Sequence, residues 1–460
     1  MRRIDFAVVY KGSTHLRKGP KMSGSYQARS RYYKTHIDGA PLHPETQMMS
    51  YGYDPSLSEG ALKPPVFHTS TFVFSNAAAG KAFFEVAYGK RAKGEDEDPG
   101  LIYSRINNPN LEVLEDRLKL WDHAEKALSF ASGMAAISTT LFAYARPNDV
   151  VLYSEPLYGG TEYLIRNILP AFGVEGVGFT SWHEERSLER ATAEARQLAA
   201  ERGGRVSVIF VETPANPTNC LIDLHACRAL AEEVERESGH RPLIMVDNTF
   251  LGPLWQRPLE HGADIVLYSL TKYVGGHSDL VAGGVVGSAE HLAPIAGFRT
   301  ILGTMCDPQT GWMILRSLET LKLRMTRSCE NAREIASFLA THPLVSSVGH
   351  LEHIDPSDPV RQVYERQCLG PGSTFAFEIK GGEEEAFKVL DALKVIKLAV
   401  SLGGTESLME HPFTMTHADV PDDVKRRLGV TEQMLRISVG IENASDLIAD
   451  LRQALRMIEG

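Results

Sequence analysis

The sequence predicts an α/β fold class with a mostly parallel sheet, and two patterns between residues 110 and 323 support this prediction. One is a set of short, often β-branched runs that are apolar on both faces, as strands covered by helices on both sides must be. The other is helical periodicity between those runs, which is typical of βαβ units. The predicted strands are Val150–Tyr153, Val206–Val211, Leu243–Val246 and Ile265–Tyr268, with helices such as Leu188–Ala200 and Asp223–Glu237 between them.

The rest of the chain predicts a second, smaller α/β domain and an N-terminal arm. From about residue 324 the pattern mixes helices with strands such as Thr374–Ile379 and Leu435–Val439. At the other end, residues 1–40 are basic and polar, a composition that favours a disordered arm. The predicted parts are therefore the arm at 1–40, an N-terminal segment at 41–108, a large domain at 109–323 and a small C-terminal domain at 324–460.

Composition excludes several classes of function. The formal net charge of -10 argues against general affinity for nucleic acid, which needs a basic surface. No run reaches the roughly 18 to 20 apolar residues that span a bilayer, so no membrane association is expected. The five cysteines are widely spaced and form no CxxC pair, which predicts free thiols in a reducing cytoplasm and no metal site. A small-molecule partner fits this composition best.

The basic arm leaves two interpretations open. It is either a disordered tail, including an upstream start with Met22 as the true beginning, or an electrostatic tether to RNA or an acidic partner. The tail is the favoured interpretation.

Polar residues that end apolar strands are the first candidates for chemistry, because parallel sheets bind ligands beyond the carboxyl ends of their strands. The run Pro242–Val246 ends at Asp247, which could either stabilise a protonated ring nitrogen or form a turn. The run Ile265–Tyr268 ends in Ser269-Leu270-Thr271-Lys272. A lysine at a strand end is usually a solvated surface residue. A partly desolvated one, however, can form a Schiff base with a carbonyl cofactor, and neighbouring hydroxyls suit a phosphate.

A possible phosphate site also lies at Ser132-Gly133-Met134, ahead of an apolar helix that runs to about Tyr144. Glycine allows close approach of an anion, and a helix start offers unpaired N–H groups. The segment alone fits a simple helix start equally well. The absence of GxGxxG and GxxxxGK[ST] patterns lowers the dinucleotide and nucleoside-triphosphate alternatives.

Together these segments resemble the transsulfuration enzymes that depend on pyridoxal 5'-phosphate (PLP), over residues of about 64 to 458. This family includes cystathionine γ-synthase, cystathionine γ-lyase, methionine γ-lyase and the homoserine sulfhydrylases. The markers that carry the resemblance are Tyr103-Ser104-Arg105 with Asn108-Pro109, Ser132-Gly133-Met134, Tyr158-Gly159-Gly160-Thr161, Glu212-Thr213-Pro214-Ala215-Asn216-Pro217, Asp247-Asn248-Thr249, Ser269 to Lys272, Ser401-Leu402-Gly403-Gly404 and Arg436-Ile437-Ser438-Val439-Gly440.

The resemblance implies a fold of type I PLP-dependent transferases, similar to aspartate aminotransferase, with a seven-stranded, mostly parallel sheet. Lys272 would hold PLP as a Schiff base, Asp247 would keep the pyridinium nitrogen protonated, and Tyr158 would stack on the ring and move protons. Arg436 would bind the substrate carboxylate, for which a guanidinium is geometrically suited. Further residues implied to contact the phosphate or other parts of the cofactor are Ser132, Gly133, Met134, Ser269, Thr271, Tyr103, Arg105 and Asn216, and Ser401, Asn216 and Tyr103 are further substrate contacts.

Oligomeric state and reaction class follow from the same resemblance. Tyr103 and Arg105 would reach into the site of a neighbouring subunit, so the resemblance implies a homodimer with shared sites, paired into a homotetramer. Loss of protons at Cα and Cβ would allow a group on Cγ to leave. The outcome would be γ-elimination to a 2-oxo acid and ammonia, or γ-replacement by a thiol.

Two positions favour a methionine γ-lyase pattern within the family. Members that handle cystathionine usually place acidic residues where this sequence has Ile102 and Val400, and an apolar pair suits a methylthio group. The expected activity is γ-elimination from methionine or homocysteine. Against it, Gly160 occupies the place of the reactive cysteine of methionine γ-lyases. Cystathionine γ-synthase, cystathionine γ-lyase or O-acylhomoserine sulfhydrylase activity is the alternative, and a catalytically weak PLP-binding regulator is a remote one.

Overall fold

The computed structural model describes residues 32–94, 100–181 and 184–459. Of the predicted basic arm, most lies outside the described residues. The strands are β1 His36–Ile37, β2 Ala40–Pro41, β3 Lys126–Phe130, β4 Val150–Ser154, β5 Glu175–Phe179, β6 Val206–Glu212, β7 Leu243–Asp247, β8 Ile265–Ser269, β9 Gly283–Gly287, β10 Val345–Val348, β11 Thr374–Ile379, β12 Lys397–Leu398, β13 Leu408–Glu410 and β14 Met434–Ser438. The longer helices are Ala77–Ala87, Pro109–Trp121, Gly133–Tyr144, Leu188–Arg202, Leu224–Ser238, Ala289–Leu302, Pro308–Leu318, Leu321–Ala340, Pro359–Gln367, Glu383–Ala392 and Ala444–Leu455.

Shorter helical turns occupy connections between these elements. The short α-helices are Pro44–Gln47, Gly159–Tyr163, Gly252–Trp255 and Asp422–Arg427. The 3-10 turns are Pro55–Ser58, Leu169–Phe172, Glu184–Arg186, Pro258–His261, Leu351–His353 and Arg456–Ile458, and Leu164–Ile168 forms a π-helical turn.

The described chain divides into two compact units. Residues up to Tyr144 together with Leu280–Thr320 form the first unit, and Ala145–Asp279 with the chain from Leu321 onward form the second. The domain boundaries that the sequence predicts, after residues 40, 108 and 323, stay a proposal.

The second unit contains five parallel strands, paired in the order β5-β4-β6-β7-β8. Every residue of β4 and β6 is buried, which is the pattern of strands covered on both faces. The first unit contributes β3 and β9, which pair antiparallel. Five parallel strands and one antiparallel pair match the seven strands and the mostly parallel character that the sequence predicts, so the predicted fold class is confirmed.

The predicted helices are confirmed, and their ends are set by capping residues. Asp223 caps the helix Leu224–Ser238 by accepting hydrogen bonds from the N–H groups of His225 and Ala226, and Gly239 ends it in a left-handed conformation. Ser187 similarly caps Leu188–Arg202. The predicted helix after Ser132 runs over Gly133–Tyr144.

A five-stranded sheet, in the order β10-β11-β14-β13-β12, forms the later part of the second unit. It packs through Phe375, Phe377, Leu435 and Ile437 against apolar side chains that include Leu451 of the helix Ala444–Leu455. β14 is antiparallel to both β11 and β13, and this register places Arg436 directly opposite Glu410.

The structure gives the state of the cysteines and bears on membrane-spanning helices and metal sites, the features that the composition addresses. All five cysteines are free; Cys227, Cys306 and Cys329 are buried, and the remaining two, Cys220 and Cys368, are partly buried. Across residues 32–94, 100–181 and 184–459, no helix combines the length and apolar character needed to cross a membrane. In the same part of the chain, no group of three or more His, Cys, Asp or Glu side chains is arranged to hold a metal ion.

Candidate active site

Two carboxylates lie side by side at the carboxyl ends of β6 and β7. Glu212 and Asp247 are the last residues of these strands and are register partners, and both side chains are buried. Oδ1 of Asp247 accepts hydrogen bonds from the backbone N–H of Thr249 at 3.0 Å and from its hydroxyl at 2.6 Å. The Thr249 hydroxyl oxygen also accepts the backbone N–H of Ser269 at 2.9 Å. One threonine therefore joins the ends of β7 and β8.

Glu212 holds two residues for which the sequence predicts roles. Its Oε2 accepts the backbone N–H of Tyr158 and its Oε1 that of Asn216, each at 2.8 Å. Burial, followed by the nearby charge of Asp247, raises the pKa of Glu212. Burial also raises the pKa of Asp247, against the lowering effect of its bonds from Thr249. The sequence marked Glu212 only as part of a motif and assigned it no role.

Lys272 lies in the turn that follows β8, and its Nζ donates a hydrogen bond to Oγ of Ser401 at 2.8 Å. Burial lowers the pKa of this amine to about 8, and the positive charge of Arg436 contributes to the lowering. Glu410 opposes this effect. With such a pKa, about one amine in ten is unprotonated at pH 7, far more than for an ordinary lysine, and the unprotonated amine is the form that reacts with a carbonyl.

The segment that carries Ser401 has an unusual backbone. Ser401 has φ of +102°, a left-handed conformation that a residue with a side chain rarely adopts. Its carbonyl oxygen accepts a hydrogen bond from Nη2 of Arg436 at 2.8 Å. Gly403 follows at φ +74°, and a Cβ there would lie 2.7 Å from the backbone nitrogen of Tyr273. Glycine is therefore required for this segment to approach the lysine turn.

Arg436 projects from β14 and is almost completely buried, at 3% exposure. Nη1 donates to Oδ1 of Asn216 at 2.9 Å and forms an ion pair with Oε1 of Glu410 at 2.7 Å. Its Nε has no hydrogen-bond partner among the described residues. Burial lowers the pKa of the guanidinium, and the charge of Glu410 opposes the lowering. The structure thus brings together Lys272, Ser401, Asn216 and Arg436, four residues to which the resemblance assigns roles.

Glu410 is a functional candidate that sequence reasoning missed. It is fully buried, and its Oε1 also accepts the hydroxyl of Thr416 at 3.0 Å. That hydroxyl is 3.1 Å from Nδ1 of His417, a buried ring whose pKa burial lowers to about 4. Burial raises the pKa of Glu410, while the guanidinium of Arg436 lowers it. The sequence signal was a single charged residue ending the apolar run Leu408-Met409, but nothing local indicated its partner.

The remaining predicted residues of the second unit are placed as follows. Tyr158 precedes the helix Gly159–Tyr163, and its side chain is 43% exposed. Ser269 ends β8 and Thr271 follows two residues later, one residue before Lys272. Val400 is 53% exposed, beside the strained Ser401.

The first unit carries Ile102, Tyr103, Arg105, Ser132, Gly133 and Met134. Nη1 of Arg105 donates to the carbonyl of Thr300 at 2.6 Å, and its guanidinium lies 5.6 Å from the centre of the Tyr103 ring. Gly133 begins the helix that ends at Tyr144, and the hydroxyl of Ser132 accepts the N–H of Ala135 at 3.0 Å.

The geometry within the second unit supports a definite chemistry. A lysine amine with a lowered pKa can react with an aldehyde or act as a base. Among the described residues, Asp247 forms no ion pair, so this buried carboxylate is available to a cationic ring nitrogen. A buried guanidinium beside the lysine can bind a carboxylate. These features together fit a carbonyl cofactor with a basic ring nitrogen, and an amino-acid substrate.

Comparisons with known proteins agree with this geometry. Residues 45–456 match the family described as "Cys/Met metabolism PLP-dependent enzyme". The L-methionine gamma-lyase of Pseudomonas putida is 38% identical over 413 residues, which cover 89% of this chain and 96% of that protein. The cystathionine gamma-synthase of Mycobacterium bovis is 36% identical over 413 residues, 90% of this chain and 96% of that protein.

A solved structure is also similar over most of its length. The cystathionine gamma synthase from Xanthomonas oryzae pv. oryzae, in complex with aminoacrylate and cysteine, has a TM-score of 0.78 and 31% sequence identity. The similarity covers 91% of this chain and 99% of that one.

Proposed function

Because this chain belongs to the PLP-dependent enzymes of cysteine and methionine metabolism, we propose that it catalyses γ-elimination from methionine or homocysteine. With water, the reaction would give 2-oxobutanoate and ammonia, together with methanethiol from methionine or hydrogen sulfide from homocysteine. The observation that carries the proposal is the hydrogen-bonded group of Lys272, Ser401 and Arg436, which places a weakly basic amine beside a carboxylate-binding guanidinium. Relatives named L-methionine gamma-lyase support the choice of substrate.

The residues present fit PLP. Lys272 would hold the cofactor covalently through its amine, and Asp247 would hold a proton on the ring nitrogen, since its buried carboxylate gains stability from a cation. When bound, PLP supplies an electron sink for the electrons released from the substrate Cα–H bond. Tyr158 would stack on the ring and Asn216 would contact it. The phosphate would be held by Ser132, Gly133, Met134, Ser269 and Thr271, and by Tyr103 and Arg105 of a neighbouring subunit.

Proton transfer would depend on Lys272 and Tyr158. Arg436 would bind the substrate carboxylate together with Ser401, Asn216 and Tyr103, and this would orient the Cα–H bond toward the lysine. The Lys272 amine would remove the Cα proton, a role for which a pKa of about 8 is suited near neutral pH. The exposed phenol of Tyr158 would carry protons during the departure of the thiol.

Specificity would come from the apolar side chains of Ile102 and Val400. Neither compensates the desolvation of a distal ammonium, whereas a methylthio group requires no such compensation. A second candidate function is transsulfuration by cystathionine γ-synthase, cystathionine γ-lyase or O-acylhomoserine sulfhydrylase activity. The similarity to cystathionine gamma-synthases favours it, and so does Gly160 in place of a reactive cysteine. A catalytically weak PLP-binding regulator stays a remote alternative.

We also propose a cytoplasmic homodimer with shared active sites, paired into a tetramer. The reason is that Tyr103 and Arg105 are expected to complete the phosphate site of a neighbouring subunit, so that a monomer would have incomplete sites.

A steady-state comparison of methionine, homocysteine, cystathionine and O-acylhomoserines tests the proposed activity, with 2-oxo acid and thiol release as the readouts. We expect methionine or homocysteine to have the highest kcat/KM. Cystathionine exceeding both by ten-fold or more, about 1.4 kcal/mol, would contradict the proposal. An absorbance spectrum recorded first tests PLP binding through a band that borohydride bleaches. A regulator would show this band yet release no product from any of these substrates.

A further inference from the structure

We propose that Glu410 is a positioning residue that neutralises Arg436 in the substrate-free enzyme and takes up a proton when a substrate carboxylate binds. The inference rests on the proposed function only in its assignment of Arg436 as the carboxylate-binding residue. It adds a proton-coupled step to substrate binding and makes Glu410 part of the substrate subsite.

The pairing of Glu410 with Arg436 is built into the sheet. The two residues are register partners on β13 and β14, so their side chains leave the same face of neighbouring strands. Their Oε1 and Nη1 atoms are 2.7 Å apart, and both side chains are buried. In the substrate-free site, Arg436 therefore already has an anionic partner.

Each partner also has an atom with no hydrogen bond. Oε2 of Glu410 and Nε of Arg436 are buried, and neither has a partner among the described residues. The Nη1 and Nη2 groups are used by Asn216, Glu410 and the carbonyl of Ser401. An incoming carboxylate can therefore engage Nε as a new contact, and a proton on Oε2 of Glu410 would turn this unpaired acceptor into a donor to the carboxylate.

Charge balance gives the reason for proton uptake. Arg436 and Lys272 are the cationic groups that face Glu410. Once the amine of Lys272 is committed to the cofactor, Arg436 would have to balance both Glu410 and the substrate carboxylate. Two buried carboxylates beside one guanidinium leave one negative charge uncompensated, and protonation of one of the carboxylates removes that charge.

The surrounding groups favour Glu410 as the site of that proton. Burial already raises the pKa of Glu410, whereas the hydroxyl of Thr416 stabilises the ionised form. The other titratable groups that interact with Arg436 are Glu212, Tyr273 and His417. His417 is already disfavoured from carrying a charge, because burial lowers its pKa to about 4.

The test uses 4-methylthiobutanoate, which has the carboxylate and methylthio group of methionine but no amine to react with the cofactor. Its dissociation constant is measured on the PLP-loaded protein between pH 6 and pH 9. In the wild type, we expect affinity to weaken with rising pH, approaching ten-fold per pH unit, because each bound carboxylate requires one proton. Glu410→Gln should lose most of this dependence and bind at least ten-fold more tightly than the wild type at pH 9.

Glu378→Gln is the matched control. Glu378 lies on β11 of the same sheet, where its carboxylate accepts hydrogen bonds from Thr431 and Ser347 and is opposite Met434. This variant should keep the pH dependence of the wild type. If Glu410→Gln weakens binding equally at every pH without changing the slope, Glu410 only supports Arg436 structurally and the proposal is wrong.

A second variant keeps the test informative if Glu410→Gln does not fold. Thr416→Val removes the hydroxyl that stabilises ionised Glu410 and leaves the ion pair with Arg436 in place. It should move the pH at which binding begins to weaken to a higher value, and an unchanged value would contradict the proposal.

Hexanoate, which lacks sulfur, should show the same dependence of the dissociation constant on pH as 4-methylthiobutanoate. A preference for cystathionine in the activity assay would thus overturn the proposed substrate without affecting this result.

Discussion

The backbone at Ser401 provides a sharp test of how the active site is built. This residue has φ of +102°. Its hydroxyl accepts a hydrogen bond from Lys272, and its carbonyl oxygen accepts one from Arg436. Strain of this kind is concentrated at functional sites, where surrounding contacts hold it in place. We compare Ser401→Ala with Ser401→Gly, because both variants lose the hydroxyl and differ only in the presence of Cβ.

The expected difference follows from two opposing effects. A residue with a Cβ costs about 1–2 kcal/mol more than glycine in a left-handed conformation. Glycine loses more conformational freedom on folding, and this effect stabilises the alanine variant by roughly 0.4–1 kcal/mol relative to the glycine variant. The hydrogen bond to Lys272 is absent from both variants and cancels. Ser401→Gly should therefore be more stable than Ser401→Ala by about 0.5–1 kcal/mol.

Urea unfolding of the two cofactor-free variants, under identical conditions, measures this difference directly. Both should also retain Lys272, the proposed point of covalent attachment, so borohydride reduction in the presence of PLP serves as a check of the folded site. If Ser401→Ala equals or exceeds Ser401→Gly in stability, the left-handed backbone is not imposed by the fold, and the reasoning fails.

Three further predictions concern Lys272, Arg299 and Gly403. In the cofactor-free protein, acetylation of Lys272 followed by mass spectrometry should rise with pH through a midpoint near 8, because the neutral amine is the reactive form; a midpoint near 10 would contradict this. Arg299→Met should lower the free energy of unfolding by about 3–5 kcal/mol, since it leaves buried Glu115 without its ion pair at 2.6 Å, and adding Glu115→Gln should recover part of the loss. Gly403→Ala should be destabilised by about 2 kcal/mol or more in urea unfolding, because it combines an unfavourable φ with a Cβ placed 2.7 Å from the nitrogen of Tyr273; a loss below 0.5 kcal/mol would show that the segment relaxes.

Much of the fold could be predicted from the sequence, because buried parallel strands have a strong local signal. The predicted strands within β4, β6, β7 and β8 needed extension by only one residue each at their carboxyl ends. The glycine-containing strands β5 and β9 were not predicted, since glycine weakens the strand pattern. In β5 those glycines have a packing reason: a Cβ at Gly178 would lie 2.5 Å from the carboxyl carbon of Glu155. That contact is visible only in three dimensions.

The sequence pointed to candidate residues where a polar segment follows an apolar run. Asp247 and Lys272 became candidates in this way, and the resemblance to the family supplied their proposed roles together with those of Arg436 and Ser401. Glu410 could not be found in this way. Its importance depends on the antiparallel register of β13 and β14, and the connection between them contains no short turn motif that would fix that register from sequence.

The charges of the site explain why these residues depend on one another. Lys272 and Arg436 are accompanied by three buried carboxylates, Glu212, Asp247 and Glu410, and burial raises the pKa of each acid. An excess of acids in a buried site favours ligands that bring positive charge or protons, since each uncompensated carboxylate is costly. In the proposed function, a protonated ring nitrogen beside Asp247 would meet this requirement at one end of the site. At the other end the substrate would bring a further negative charge, and by the same argument a proton would accompany it to Glu410.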